Sequence, residues 1–206
     1  MIEPHPDAEQ VLELGPEDDG RPMTHDQFLR ADPQDGYRYE LVGGRLAVTP
    51  APNLPHWRIQ IYLQELLTEY RRANPDRIAA LGSDARVLLR AMGGPCDVEP
   101  DLAVFSTLPE DSNATWAEMA PFLVVEVLSQ GTRRKDLVRN RELYWRVASI
   151  EEYWIVDPHP DPYQPSLIAL RRGPDSWLET GAGPGEVYRT DLLPGLVVDL
   201  AQVFRR

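Results

Sequence analysis

A chain of 206 residues with 42% hydrophobic and 26% charged residues has the size and balance of one soluble domain with a real core. Its net charge of -12 argues against indiscriminate nucleic-acid binding, which needs Lys and Arg on phosphates, and its single cysteine, Cys96, excludes an intrachain disulfide or a Cys-based metal cage. With no apolar run of 18 residues and no basic leader, it shows neither a membrane span nor a signal peptide, so the expectation is a cytoplasmic protein with no membrane partner.

Residues 1–20 hold seven acids and neither Lys nor Arg, and read as a disordered acidic tail ahead of one domain, 21–206. Thr24, with Gln27 three positions on, predicts a short capped helix. Two β-prone runs, 37–42 and 45–49, flank Gly43-Gly44 and predict a hairpin. Pro50, Pro52 and Pro55 then break regular structure, and Ile59, Tyr62, Leu63, Leu66, Leu67 and Tyr70 space a helix from His56 to about Ala73. A strand is expected over 85–90, a Gly/Pro loop over 91–99, and buried strands over 101–105 and 122–128, the loop between these two containing one helical turn. Thr132 would cap a helix reaching Val147. The run 151–157 is a strand ended by Pro158, and further strands are expected at 166–171, 176–179, 186–189 and 196–199. The whole is a mixed α/β domain.

Two acids stand out against this background. Glu126 interrupts the apolar run Phe122-Leu123-Val124-Val125-Glu126-Val127-Leu128, where a lone carboxylate is costly to bury without a partner. Asp101, after Pro100, opens the preceding apolar run, so a shared divalent ion is one solution; an ion pair to Arg86 or Arg141 is another. Lys135, nine residues after Glu126, is the only lysine; the other 20 basic residues are arginine. Two acids on neighbouring strands and a nearby cation are the parts of a metal-dependent phosphodiesterase site. Two hard carboxylates suit Mg2+ or Mn2+ better than zinc, with the Val127 carbonyl as a third ligand and Arg133 and Arg134 placed to grip flanking phosphates.

The ordered motifs Tyr39-Glu40-Leu41-Val42-x-Gly44-x-Leu46, Pro52-x-x-x-His56, Pro100-Asp101-Leu102, Val124-Val125-Glu126-Val127-Leu128-Ser129, Thr132-Arg133-x-x-Asp136, Tyr144, Glu152-Tyr153-Trp154-Ile155-Val156-Asp157-Pro158 and Leu193-Pro194-Gly195-Leu196 resemble the PD-(D/E)XK nuclease superfamily. Within it they are most similar to the Uma-type restriction endonucleases, over about residues 24–204. The resemblance implies a restriction-endonuclease-like αβββαβ core, a mixed central sheet flanked by helices, holding a divalent ion, most often Mg2+. Asp101 matches the PD aspartate, Glu126 the acid of (D/E)XK, Glu40 an auxiliary acid, and His56 a histidine that opens the first long helix. The (D/E)XK lysine position is Leu128, and the helix position from which this family supplies its cation is Asn140, flanked by Arg139 and Arg141. An amide supplies hydrogen bonds but no charge, so Lys135 is the remaining source.

The function expected is therefore a Mg2+- or Mn2+-dependent endonuclease on DNA, with Asp101, Glu126, Glu40, Lys135 and Asn140 at the site, Arg139 beside Arg133 and Arg134 on phosphates, and a homodimer to cut both strands. Two alternatives stay open: a catalytically silent nuclease fold that binds nucleic acid or a protein partner, favoured by Asn140, and a hydrolase of a small phosphorylated molecule. Structural roles compete residue by residue as well. Glu40 would bridge to Arg45 across the hairpin, His56 would merely open its helix, and Tyr144 and Trp145 would pack.

Overall fold

The computed structural model describes residues 11–111, 113–129 and 135–205. Strand β1 (Glu13–Leu14) pairs in parallel with β2 (Asp32–Pro33), and between them lies α1 (His25–Arg30). Thr24 Oγ1 accepts from the Gln27 N–H at 3.1 Å and the Gln27 side chain returns the bond, the capping box the sequence predicts. The described half of the acidic segment is folded onto the hairpin that follows. Leu14 is buried, Tyr39 Oη donates to its carbonyl at 3.1 Å, and the Gly20 N–H donates to the Leu46 carbonyl at 2.8 Å.

That hairpin is β3 (Tyr37–Val42) and β4 (Arg45–Pro50), turning through Gly43 and Gly44 at φ 59° and 74°. Both residues are left-handed, the turn whose twist matches two antiparallel strands. Helix α2 (Leu54–Ala73) begins at the N-cap Asn53, so Pro55 sits inside its first turn, where a missing N–H costs nothing. After β5 (Ala80–Gly82) comes a second hairpin, β6 (Val87–Ala91) and β7 (Gly94–Val98). The 91–99 segment is thus not the loop expected: Met92 and Gly93, at φ 53° and 88°, make a second left-handed two-residue turn. The Gly-Pro start of β7 disguises it in the sequence. Together the hairpins form a four-stranded sheet in the order β4-β3-β7-β6.

The main sheet carries β8 (Leu102–Phe105), β9 (Leu123–Val127), β10 (Glu152–Asp157), β11 (Ser166–Arg172) and β12 (Trp177–Ala182), with β5 at its edge, in the order β12-β11-β10-β9-β8-β5. Parallel pairing of β9 with β10 needs a crossover, supplied by π-helical turns over Lys135–Asn140 running into α3 (Arg141–Trp145). The regular helix expected from Thr132 is therefore a wide turn and a short helix, and Thr132 itself lies outside the described residues. A 3-10 turn at Trp116–Glu118 is the helical turn expected between β8 and β9. The strands expected at 186–189 and 196–199 reduce to one bridge, Tyr188 with Val198. The order α2–β5–β8–β9–α3–β10 is the αβββαβ core, with the β6–β7 hairpin inserted: a restriction-endonuclease-like fold.

Period 2 assigns the faces of β9. Leu123, Val125 and Val127 meet Ile59, Leu63 and Leu67 of α2, while Val124 and Leu128 meet Leu143, Tyr144 and Tyr153. Each fully buried Leu or Ile contributes about 1.5–3 kcal/mol. Glu126 belongs to the second face, among apolar and aromatic neighbours. Among the described residues no helix is long and apolar enough to cross a membrane.

Candidate active site

Strands β8 and β9 are antiparallel, with Leu102 opposite Val125, so one further step of register sets Asp101 across from Glu126. The two acids that the sequence singles out are thus side by side at one end of the sheet. Both are buried, at 1% and 2% exposure, which decides that each needs partners. Asp101 Oδ2 accepts from the Val127 N–H at 2.7 Å. A strand residue points its N–H and C=O the same way, so the Val127 carbonyl also lies on the Asp101 side. Gln60, one turn after His56 on α2, donates to the Asp101 carbonyl at 2.8 Å.

The remaining oxygen of Asp101 meets two cationic or polar groups. Arg38 Nη1 donates to Oδ1, and His56 Nε2 lies 3.0 Å from the same atom. The His56 approach is out of line for a hydrogen bond, and both its ring nitrogens are buried without a hydrogen-bond partner among the described residues. Burial works against an Asp101 charge, but His56 and Arg38 outweigh it and hold the carboxyl below its ordinary range.

Glu126 behaves oppositely. Its Oε1 accepts from Tyr144 Oη at 2.7 Å and Asn140 Nδ2 at 2.9 Å, two neutral donors. Burial, and then the negative charges of Asp136, Asp101 and Glu40, push its carboxyl well above the usual range, with Lys135 only partly offsetting them. Neither Arg86 nor Arg141 supplies the alternative ion pair. Arg86 binds Asp97 at 2.8 Å and reaches Glu99 at 3.5 Å, while Arg141 binds Glu179 at 2.9 Å.

The third acid, Glu40, projects from β3 on the same face as Arg38. Its Oε2 holds Lys135 Nζ at 3.0 Å and Arg139 Nη2 at 2.7 Å, and its Oε1 accepts the Glu99 N–H at 3.2 Å. Arg45 donates instead to the Gly20 carbonyl at 3.0 Å, so the cross-hairpin bridge is not formed. Although burial opposes it, Lys135 and then Arg139 keep Glu40 below the ordinary carboxylate range. In return the neighbouring acids, Glu40 first, raise Lys135 to about 12 against the effect of its burial, so its ammonium is charged at neutral pH.

Asp136, Asn140 and Tyr144 succeed one another every four residues. Asn140 Nδ2 reaches Asp136 Oδ1 at 3.1 Å as well as Glu126, and Tyr153 Oη donates to the Asp136 carbonyl at 3.0 Å. Burial, then Glu126, raises the Tyr144 and Tyr153 phenols far above their ordinary value, fixing both as donors. Tyr144 is therefore a buried aromatic with a polar task, more than the packing residue expected. The expectation for Arg139 is a contact to phosphate beside Arg133 and Arg134. In the π-helical turns it folds inward, its Nε on Asn140 Oδ1 at 3.1 Å and its guanidinium on Glu40. Arg133 and Arg134 lie outside the described residues.

Arg38 and Gln60 complete the network without having been singled out from the sequence, and Asp136, quoted there within a motif, joins it without an assigned role. The signals for the first two were spacing alone: Arg38 two before Glu40 on a strand and Gln60 four after His56 on a helix.

Arg38, His56, Asp101, Glu126, Val127, Ser129, Lys135 and Asp136 border a small cleft that Thr49, Pro50 and Pro52 also line. It has about 10 Å3 of space for a water-sized body, close to what one water requires. Among the described residues no three His, Cys, Asp or Glu side chains converge into a full metal cage. The donors fit an oxygen-seeking divalent ion that keeps part of its water: two carboxylates, one carbonyl, and a crowd of negative charge around Glu126 that a cation would relieve. A larger hollow of about 620 Å3 lies at the opposite end of the strands, beside Glu151, Arg171 and Arg172. The buried Glu152 there is already satisfied by Trp154 Nε1 at 2.8 Å, Tyr188 Oη at 3.3 Å and Thr190 Oγ1, so that hollow offers no unsatisfied buried acid.

Comparison with known proteins places this geometry. Residues 25–201 match the Uma2 family, described as "Putative restriction endonuclease". A crystal structure of a putative nuclease belonging to DUF820 from Anabaena variabilis ATCC 29413 superimposes with a TM-score of 0.68, covering 89% of this chain and 98% of that one at 20% identity. No curated protein matches.

Proposed function

The chain belongs to the Uma2 family, and on that premise we propose that it is a metal-dependent endonuclease that hydrolyses phosphodiester bonds in DNA. The observation that carries this reading is the pairing of Asp101 and Glu126 across β8 and β9 at the floor of a cleft one ion in size. Asp101 Oδ1, Glu126 Oε2 and the Val127 carbonyl would hold Mg2+ or Mn2+. When bound, that ion supplies Lewis-acid polarisation of the phosphate and activation of a water nucleophile.

The protein's own groups do the rest. Asn140 and Tyr144 pin Glu126 from behind, so Asn140 is a positioning residue here and not a source of charge. Lys135, locked on Glu40 and charged at neutral pH, presents its ammonium to the negative charge that develops on the phosphate. Glu40 thereby acts through Lys135 and Arg139, and His56 faces the acid that meets the ion. The phosphate-gripping role expected of Arg133 and Arg134 remains part of the proposal. Arg139 contributes through the Glu40 network. A homodimer would bring two such clefts to the two strands of a duplex.

One feature favours the catalytically silent alternative: Asp101 already carries a protein cation, Arg38. Supercoiled plasmid with Mg2+ or Mn2+ separates the readings. Conversion to nicked or linear DNA by the wild type, lost in Asp101→Ala, is expected. Plasmid left intact at large enzyme excess would instead identify a binding protein.

A further inference from the structure

Both oxygens of Asp101 are taken by the protein itself. Oδ2 is held by the Val127 N–H at 2.7 Å, and Oδ1 is shared by His56 Nε2 at 3.0 Å and Arg38 Nη1. The cations of the cleft are divided between carboxylates. Lys135 and Arg139 both sit on Glu40, at 3.0 and 2.7 Å. Among the described arginines and lysines, Arg38 is the one that sits on the acid an ion needs. Its attachment also differs in kind: it touches Asp101 through one nitrogen, not through the two-point fork that makes arginine–carboxylate pairs strong. Asp101 is 1% exposed while the Arg38 side chain is 27% exposed, so the acid is fixed and the arginine reaches it from the solvent edge. Oδ1 already carries Arg38 and His56 beside a space about one water in size, so an ion that takes Oδ1 competes with the guanidinium.

We infer that Arg38 is the resident counter-cation of the cleft: it neutralises Asp101 while no divalent ion is bound, competes with that ion for Oδ1, and once displaced takes a non-bridging oxygen of the scissile phosphate. The inference rests on the nuclease reading and adds a residue with two successive partners. Competition is the part that an ion-binding titration isolates. A residue that merely supported the metal site would weaken ion binding when removed, and a merely structural one would leave it unchanged. Arg38 removal strengthens it. The second role follows from reach: a guanidinium freed from one carboxylate oxygen beside the cleft lies where a phosphate must enter, and its planar donors match phosphate oxygens.

Calorimetric titration of Mn2+ into the full chain, without nucleic acid, is the test, using wild type, Arg38→Ala and Asp101→Asn. The expected result is wild-type binding that is lost in Asp101→Asn and about tenfold tighter in Arg38→Ala, the scale of one pK unit of differential interaction. Equal or weaker binding by Arg38→Ala would overturn the inference. Arg38→Gln, which keeps a polar N–H donor and most of the aliphatic stem but no charge, shifts affinity in the same direction and serves if the alanine variant does not fold. At saturating Mn2+, plasmid nicking by Arg38→Ala should fall about 10- to 100-fold; undiminished nicking would remove the phosphate role. No Mn2+ binding by the wild type would overturn the nuclease reading itself, whereas wild-type binding with no gain in the variant removes only the role of Arg38.

Discussion

Glu126→Gln should make the metal-free protein more stable at neutral pH while destroying its response to metal. The amide oxygen can still accept from Tyr144 and Asn140, at 2.7 and 2.9 Å in the wild type, so no buried donor is orphaned. What disappears is a buried carboxyl whose ionisation is disfavoured by burial and by Asp136, Asp101 and Glu40. Relieving such a charge is worth about 1–3 kcal/mol, or roughly 3–10 °C in Tm for a chain of this size. The sign follows from linkage. The folded-state pKa of Glu126 lies above its reference value of 4.5, so below that value both states hold the proton and the group costs nothing. As pH rises past it, the unfolded chain ionises first, and the native state loses relative stability until its own, higher pKa is passed. Wild type and variant should therefore coincide near the acid end of that window and separate above it. Thermal denaturation in metal-free buffer across the window measures this, repeated with saturating Mn2+, where only the wild type should gain. A variant less stable than wild type at neutral pH, or a gap independent of pH, would refute the reasoning.

Lys135→Met should abolish detectable nicking and destabilise the chain by about 1–3 kcal/mol, less than a fully broken buried pair because Arg139 stays on Glu40; activity and denaturant midpoints report both effects. Lys135→Arg should keep stability but recover only part of the rate. Tyr144→Phe removes one of the two donors to Glu126, so nicking should require higher pH and stability should fall by about 1.5–3 kcal/mol, checked by a pH–rate profile and urea unfolding. Gly94→Ala should cost more than about 2 kcal/mol although it lies outside the cleft, because a Cβ there would stand 2.6 Å from the Gly43 carbonyl carbon where the two hairpin turns meet. Its destabilisation should appear in chemical denaturation, and an unaffected midpoint would mean that the turns are looser than they stand here.

The parts of this molecule that announce themselves in sequence are those whose side chains follow a period. Helix α2 shows its stripe of Ile59, Leu63, Leu67 and Tyr70, and β9 is visible as an apolar run with one acid inside it. Gly43-Gly44 declares its turn because both residues take the positive φ that this two-residue hairpin uses, which glycine adopts freely. Strand β5, only Ala80–Gly82, has no pattern to show, and β7 hides behind Gly94-Pro95. Its turn rests on Met92, an unusual residue at positive φ. At the cleft, the residue types of Asp101 and Glu126 are informative because burial of a carboxylate is expensive anywhere. Their partners are not, since Arg38 comes from a different sheet and could have met Glu99 as readily as Asp101. Arg139 illustrates a different limit. Ordinary helical geometry turns it away from Asn140, and only the wider π-helical path brings both into one network.

The central claim concerns where a cation sits. Anomalous diffraction from crystals of the wild-type protein soaked in Mn2+ should show one peak between Asp101 and Glu126, within coordinating distance of the Val127 carbonyl, with Arg38 withdrawn from Asp101. A peak elsewhere, or a cleft in which Arg38 still holds Asp101 at saturating Mn2+, would contradict the account.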